Sequence, residues 1–504
     1  MSMLPRAREH RSGFTGTLAC ILLLTTQLLA QHRGDNLAFQ GLAHLERSGA
    51  KALAMGGAFT AMGGDLNSIF WNPAGLAGIE QLSVSVAGHD YAALWRENQA
   101  YRPNRYLVTL PFYLEGLYIP DPANNGILDD ELAQDTNYVV GEPELGLEPF
   151  SKEAADWQNR MTDSGLNSLT AAVPLKIARR PLILALAYQR QSGMLDYDRN
   201  DTYLSPHIGS MEYEVLVRVE SDTGVVHWHR FLRQRSGDIQ TLRGALALAL
   251  SDRIQIGLRL ALLSGETEDL QTLSKVGVFD IYDDNQFSFS YDTLDTEISG
   301  TSTFSAVELS AGALFSFTNF DLGFSMTLPT TVSRSWTYET AVLDTGDVIH
   351  TKNSGTDQLK LPPTFTLGLR FTPAEQYTFA LDLESIPYSQ ATFELASQDT
   401  THRPWIDSYS LRVGIEYRAA TFLALRGGYQ YVTQEFVTDG AAFKTRGPAA
   451  NLYNIGASFR LGWLGQVDIA YNLLQLKYYD SYYSSTNYVS ELVNRLTVEY
   501  IYRF

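Results

Sequence analysis

The chain ends in the sequence LVNRLTVEYIYRF, residues 492–504. One parity of this stretch is apolar (Leu492, Leu496, Val498, Tyr500, Tyr502 and Phe504), and the other is largely polar (Arg495, Thr497, Glu499 and Arg503). Such alternation is typical of a transmembrane β-strand, which has lipid on one face and a wet lumen on the other. Because an arginine that faces lipid at mid-bilayer costs about 2–4 kcal/mol, the charged parity is predicted to point inward.

Three earlier stretches have the same two-faced pattern. Apolar residues at every second position alternate with Thr366 and Arg370, with Asp382 and Glu384, and with Arg412, Glu416 and Arg418. A soluble β-sandwich also alternates, but it buries the apolar parity and exposes the polar one. The order of short and long connections distinguishes a sandwich from a barrel.

Short and long links alternate along the chain. Short links are predicted at 179–181, 251–253, 318–319, 373–376, 418–421 and 462–464, and long links at 192–240, 265–303, 329–363, 387–408, 432–450 and 478–490. Outer-membrane barrels have short periplasmic turns and longer extracellular loops. A first strand at 82–91, six hairpins and a closing strand make about 14 strands. The sequence therefore predicts an all-β, antiparallel transmembrane barrel with both ends on the periplasmic side.

Residues 1–30 are predicted to be a signal peptide. They carry Arg6, Arg8 and Arg11, then an apolar run at 18–29, then Ala30 at the cleavage site. The only cysteine, Cys20, lies in that run, so the exported chain is expected to have no disulfide. No later stretch has the roughly 18 apolar residues of a membrane helix, so a membrane form must be a barrel. Cleavage would change the formal net charge from −18 to about −20, which argues against nucleic acid as a partner.

Residues 31–81 do not alternate and are rich in glycine and alanine. Ala54-Met55-Gly56-Gly57 is echoed by Ala61-Met62-Gly63-Gly64. A wide barrel without a plug would leave an aqueous hole. We therefore expect three regions: a signal peptide at 1–30, an N-terminal plug at 31–81, and a transmembrane barrel with long extracellular loops at 82–504.

The plug region resembles a known family. The run from Gly49 to Phe59, and the run Ser68 to Ala77 that contains Asn72-Pro73-Ala74-Gly75, are similar to the N-terminal hatch of FadL-type long-chain fatty-acid channels. They are equally similar to the opening of PorV-type proteins, a branch of the same superfamily tied to type IX secretion. Later strands at 361–370, 411–417 and 425–429 also look like strands of that superfamily.

The resemblance implies a 14-strand barrel plugged by its hatch. Hydrophobic ligands would enter an apolar pocket formed by the loops, pass toward the hatch and leave sideways through a gap in the wall. Asn72, Pro73, Ala74 and Gly75 would belong to the gate. The inward charges are interpreted as a hydrogen-bonded ladder that anchors the plug, in preference to a selectivity filter: Arg370, Asp382, Glu384, Arg412, Glu416, Arg426, Arg495, Glu499 and Arg503.

The predicted function is passive transport of long-chain fatty acids or other small hydrophobic compounds across the outer membrane. We expect no enzyme activity, cofactor or metal. Besides the ligand, the expected partners are outer-membrane lipid and lipopolysaccharide, and the protein is expected to be a monomer. The alternative is a PorV-like structural protein that binds secreted proteins at the cell surface.

Two stretches have only a loose similarity to metal-binding sites. His227 and His229 would share a face of a strand, but no third ligand is evident, so a strand in a loop explains them better. Residues 121–130 are loosely similar to a calcium loop, but Ala123 and Leu132 stand where oxygen ligands are needed. The acidic insertion at 92–167 is longer than a simple channel requires.

Overall fold

The structure is a computed structural model that describes residues 37–39, 47–99, 157–177, 180–205, 217–219, 223–282, 287–344, 347–396, 406–433, 449–482 and 485–504. The expected signal peptide, the calcium-like stretch at 121–130 and most of the 92–167 insertion lie outside these ranges. Within them, no helix has the length and apolar character needed to cross a membrane.

The described chain is mainly β-strand. The helices before the first strand are short: α1 spans Ala50–Ala54, α2 spans Ser68–Trp71, and a 3-10 helix spans Pro73–Gly78. Two later 3-10 helices span Tyr388–Gln390 and Gly462–Leu464. The strands are β1 Ser83–Gln99, β2 Trp157–Ile177, β3 Arg180–Ser205, β4 Val217–Val219, β5 Thr223–Ser251, β6 Ile254–Tyr282, β7 Phe287–Ser316, β8 Phe320–Thr327, β9 Thr330–Asp344, β10 Asp347–Leu361, β11 Thr364–Ala374, β12 Tyr377–Ile386, β13 Thr392–Glu394, β14 Ser408–Ala420, β15 Leu423–Val432, β16 Ala450–Arg460, β17 Gln466–Tyr482 and β18 Ser485–Arg503.

These strands form one closed antiparallel sheet. β1 pairs with β2 on one side and with β18 on the other, which joins the two ends of the chain. Three pairs of segments (β8 and β9, β10 and β11, β12 and β13) are interrupted halves of single barrel strands, and β4 is a short addition beside β5. Pro329 and Pro362 stand at two of the interruptions, because proline cannot donate to a ladder. The barrel has 14 strands, and the predicted fold class is confirmed.

The six predicted short links all fall between consecutive strands: β2–β3, β5–β6, β7–β8, β11–β12, β14–β15 and β16–β17. Four of the predicted long links are wrong as loops, because strands β3, β5, β6, β7, β9, β10, β17 and β18 continue through most of their length. The reason is visible on β6. Its outward residues change from Leu258, Leu260 and Leu262 to Ser264 and Glu266, all exposed. A strand that has risen above the lipid no longer needs an apolar face, so the alternation that identified strands disappears.

The two faces of the wall have reversed polarity compared with a soluble protein. Leu258, Ile455 and Leu367 are 63%, 62% and 55% exposed on the outer face. Charged residues such as Asp382, Arg412 and Glu499 are buried on the inner face. An exposed apolar belt around a closed barrel is the arrangement that lipid requires.

Residues 47–81, which we call the lumen segment, contact inner-wall residues on opposite sides of the barrel. The 3-10 helix packs on β3, β5, β6 and β7, whereas α1 packs on β15, β16, β17 and β18. The segment buries Met55, Phe59, Ile69, Phe70 and Leu76 almost completely. It thus lies across the interior of the barrel.

Candidate functional site

The lumen segment rests on the wall at pairs of glycines that face each other across neighbouring strands. Gly257 on β6 pairs with Gly312 on β7. A Cβ at Gly312 would collide with the Asn72 side chain, and one at Gly257 would collide with the backbone of Pro73 and Ala74. We call such a pair a glycine seat, because the missing side chains let two backbones approach closely.

Two more glycine seats hold the repeated Ala-Met-Gly-Gly motifs. Gly414 and Gly428 are paired on β14 and β15 and lie against Met55 and Gly56. Gly323 and Gly368 are paired on β8 and β11 and lie against Thr60 and Ala61. The internal repeat of the sequence therefore corresponds to successive contacts of one segment with different parts of the wall.

Asn72 joins the lumen segment to the barrel by hydrogen bonds and is fully buried. Its Nδ2 donates to the Thr60 carbonyl at 2.7 Å and to the Ala313 carbonyl on β7 at 3.1 Å. Its Oδ1 accepts from the Ala74 N–H at 3.1 Å, which caps the 3-10 helix that begins at Pro73. Gly75 is packed against Met62 and Ser68 within the same segment.

Three acids of the predicted charge ladder bind the lumen segment: Asp382, Glu499 and Glu384. Asp382 Oδ2 accepts from the N–H groups of Phe59 and Thr60, both at 2.9 Å. Glu499 Oε2 accepts from the N–H of Ala50 at 2.9 Å and from the Asn67 side chain at 3.2 Å.

Glu384 binds two arginines that enclose an indole ring. It pairs with Arg412 of β14 and with Arg47 of the lumen segment. Both guanidinium groups lie over the ring of Trp71, at 5.4 and 5.1 Å from its centroid. This arrangement adds cation–π contacts to the ion pairs.

The other members of the ladder pair elsewhere. Glu416 accepts from Arg426 at 2.7 Å, and Arg426 also lies 3.6 Å from Asp468. Arg370 bonds to Asp321 on β8, and Arg503 donates to Gln466 at 3.3 Å. Arg495 lies over the ring of Tyr91, 5.4 Å from its centroid. The structure thus divides the predicted set into acids that hold the lumen segment and pairs that cross-link the wall.

A second buried network lies above the apolar belt, on strands where the sequence pattern predicts loops. Arg235 binds Asp269 through two hydrogen bonds of 2.7 and 2.9 Å, and Arg334 binds Asp357 at 2.7 Å. Burial alone would raise the pKa of Asp269, but its hydrogen bonds and the charge of Arg235 outweigh burial and hold it at about 2.

The same network holds the residues at 37–39. Arg235 Nη1 donates to the Ala38 carbonyl at 3.0 Å, and the N–H of Leu37 donates to Gln271 at 3.2 Å. These contacts place Phe39 in an apolar group that we call the outer apolar cluster: Ala38, Phe39, Ile239, Leu263, Phe304, Val332, Leu359, Tyr388, Ala391 and Phe393.

Arg243 on β5 is a further buried cation that the sequence reading did not select. It is 8% exposed, lies 5.3 Å from the Phe70 ring centroid and donates to Gln189 Oε1 at 2.7 Å. Among the described residues it forms no ion pair, whereas neighbouring Arg259 binds Glu308 at 2.7 Å. Arg259 and Arg47 repel its charge, and Glu308 attracts it. In sequence, its only signal is a charge within an alanine- and leucine-rich strand.

The backbone ladder of the wall is interrupted between β2 and β3. Their ladder runs from Ile177–Arg180 up to Ser168–Gln189 and stops there, although β2 begins at Trp157 and β3 extends to Ser205. Leu166 and Leu169, at the upper end of the ladder, are exposed. This break in the ladder, which we call the wall gap, therefore begins at the outer edge of the apolar belt.

His227 and His229 lie on β5 with ring centroids 6.2 Å apart. Burial, followed by the charges of His227 and Lys275, lowers the pKa of His229 to about 4. Among the described residues there is no group of three or more potential ligands that could hold a metal ion.

A family model described as outer membrane protein transport protein (OMPP1/FadL/TodX) matches residues 242–501, just over half of the chain. The chain belongs to this family. It is therefore an outer-membrane barrel of a transport family, as predicted. The matched range starts within β5 and includes all three glycine seats, while the lumen segment precedes it.

Solved structures show that the fold of this FadL/TodX family member extends beyond the matched range. A FadL homologue of Pseudomonas aeruginosa has 12% identity and a TM-score of 0.56, with 90% of this chain and 98% of that chain covered. The P. putida toluene transporter TodX has 12% identity and a TM-score of 0.57, with 92% and 99% covered. No curated protein is significantly similar to the chain.

Proposed function

We propose that this protein is a passive channel for small hydrophobic molecules, and that its preferred ligands are long-chain fatty acids. The observation that carries the proposal is the wall gap. Because the β2–β3 ladder stops at Ser168–Gln189, beside exposed Leu166 and Leu169, a ligand could move from the interior directly into lipid. Such a route suits a molecule that is poorly soluble in water.

The outer apolar cluster is buried as it stands, and capture of an apolar chain there would require its members to separate. It lies between strands that rise above the belt, and its members include Ile239, Leu263 and Phe304. Burial of apolar surface there contributes about 25 cal/mol per Å², or about 0.8 kcal/mol per methylene. A long acyl chain would therefore gain several kcal/mol after the cost of ordering it.

Arg243 supports an acidic head group. Its partner Gln189 is the last β3 residue in the ladder with β2, so the guanidinium lies at the inner side of the wall gap. Among the described residues no carboxylate lies within ion-pair distance of Arg243, so its positive charge can attract an anion. The carboxylate of a fatty acid would supply that anion.

The lumen segment would act as the hatch. The glycine seats and the bonds of Asn72, Asp382 and Glu499 hold it against the wall, which would prevent leakage of ions while an apolar ligand passes. In this proposal Asn72, Pro73, Ala74 and Gly75 belong to the gate, and the ligand moves down its gradient.

Uptake of labelled oleate by cells with and without the protein tests this function. We expect faster uptake in cells that contain the protein, and a parallel measurement with toluene ranks the two ligand classes. Equal uptake in both cell types would overturn the proposal. If surface delivery of secreted proteins failed instead, the PorV-like role would be favoured.

A further inference from the structure

Side chains, and not a backbone ladder, join the upper halves of β2 and β3. Ser192 Oγ on β3 donates to Asp163 Oδ2 on β2 at 2.7 Å. The same carboxylate oxygen lies 3.0 Å from His89 Nε2 on β1. We call His89, Asp163 and Ser192 the clasp, because these residues connect three successive strands across the wall gap.

The strands on each side of the clasp are firmly paired with their other neighbours. β2 remains in the ladder with β1, in which Tyr91 faces Asp163 and Glu97 faces Trp157. β3 remains in the ladder with β5, in which Ser192 faces Asp238. The wall gap is therefore a seam between two stably paired parts of the same sheet, and the distance between β2 and β3 there depends on the contacts that bridge the seam.

Side-chain contacts also cross the wall gap above the clasp. Above it, Asn159 Nδ2 donates to the sulfur of Met194 at 3.3 Å, a weak bond. Trp95 and Tyr197 meet edge to face with centroids 5.3 Å apart. Both contacts could break without disturbing a ladder.

The path of β3 brings it toward Asp163. Gly193 has φ +98°, and a Cβ there would lie 3.3 Å from Asp163 Cβ. The register with β5 shifts between Met194 and Asp196. A positive φ and an irregular register redirect a strand, and here they direct β3 to the seam.

We propose that the clasp holds the wall gap narrow and that its release widens the lateral opening. The inference rests on the proposed lateral route for ligand. When the Ser192–Asp163 bond breaks, β2 can move with β1 and β3 with β5, because no backbone hydrogen bond connects them at this height. The clasp would thus control the rate of exit into lipid.

The charges around Asp163 favour a closed clasp. His89 and Tyr91 face it from β1 and Arg190 faces it from β3, where Arg190 is also bonded to Asp238 of β5. Burial would raise the pKa of Asp163, but the hydrogen bonds of Ser192 and His89 outweigh burial and lower it. The carboxylate therefore stays available as an acceptor.

Two opposite changes test the clasp in the full-length protein, with oleate uptake as the readout. Ser192→Ala and Asp163→Ala remove it, and we expect uptake to rise at least twofold in each folded variant. Asn159→Cys combined with Met194→Cys allows an oxidised cross-link over the seam, and we expect at least fivefold slower uptake that a thiol reductant restores.

A matched pair of cysteines provides the control. Gln240→Cys with Ser264→Cys joins exposed partners that already face each other in the β5–β6 ladder, so oxidation should leave uptake unchanged. Unchanged or slower uptake in folded Ser192→Ala and Asp163→Ala would overturn the proposal. If the wild-type protein itself gave no uptake, the proposed function would fail, which is a different outcome.

Discussion

Gly257 and Gly312 face each other across the β6–β7 ladder and together leave the space that Asn72, Pro73 and Ala74 occupy. Neither glycine needs an unusual backbone angle. The requirement is close approach, since a Cβ at either position would lie nearer than 3.0 Å to the lumen segment. The wall and the segment it encloses are therefore shaped for each other at this point.

Gly312→Ala should displace the Asn72 side chain and loosen the lumen segment. Overpacking of this kind costs about 1–3 kcal/mol, and the displaced segment should leak small ions. Single-channel conductance in planar bilayers measures the leak.

The control for Gly312→Ala is Gly244→Ala on β5, where a Cβ would meet Leu186 at an ordinary 3.7 Å. We expect conductance of that variant to match the wild type. Equal conductance of all three proteins would contradict a sealing role for this glycine seat.

Arg243→Gln should change the choice of ligand more than the capacity to bind an apolar chain. A hydrogen bond to a charged group contributes about 1.5–3 kcal/mol, so the dissociation constant for dodecanoate should rise about tenfold or more. Binding of 1-dodecanol should change less than twofold. Titration of the purified protein with each ligand gives both constants.

Arg253→Gln serves as the matched variant, because Arg253 is exposed in the turn between β5 and β6. It should bind both ligands as the wild type does. If Arg243→Gln weakened the acid and the alcohol equally, Arg243 would have a packing role and no part in head-group recognition.

Asp269 should make stability depend on acid pH. Its pKa in the folded protein is lowered to about 2, so its contribution is present above the ordinary carboxyl pKa near 3.8 and is lost as the pH falls through about 2. The difference corresponds to about 2 kcal/mol. Urea unfolding in lipid vesicles between pH 5 and about pH 2 measures this loss.

The Asp269→Asn variant should be less stable than the wild type at pH 7, and its free energy of unfolding should fall little further on acidification. Asp238→Asn is the comparison, since Asp238 is more exposed and binds Arg190 at the surface. It should keep the wild-type pH profile. A profile for Asp269→Asn as steep as that of the wild type would show that another carboxylate is responsible.

The edge of the apolar belt can be located on a single strand. Leu258 and Ser264 both face outward on β6, but Leu258→Arg places a cation within the belt and should cost about 2–4 kcal/mol. Ser264→Arg lies above the belt and should be tolerated. The fraction of protein that folds into vesicles, read by heat-modifiable gel mobility, compares the two; equal folding would mean that the belt is misplaced.

The sequence alone determined the barrel, its number of strands, its short turns and the outward orientation of its apolar belt. Each of these follows from a local rule: lipid demands an apolar side chain at every second position, and a polar lumen permits Arg412 or Glu499 between them. The rule ends where the lipid ends, so the sequence pattern predicts loops at the upper parts of β5, β6 and β7, which are strands.

Only the tertiary structure decided how the interior is assembled. Asp382 meets the backbone of Phe59, and Gly312 meets Asn72, across more than 200 residues of chain, and no local pattern encodes such distant pairs. Two other features also arise only when the barrel closes. Arg243 has no ion partner among the described residues, and the β2–β3 ladder ends at Gln189. A charge finds its partner, or lacks one, only when the sheet closes and brings the strands around it.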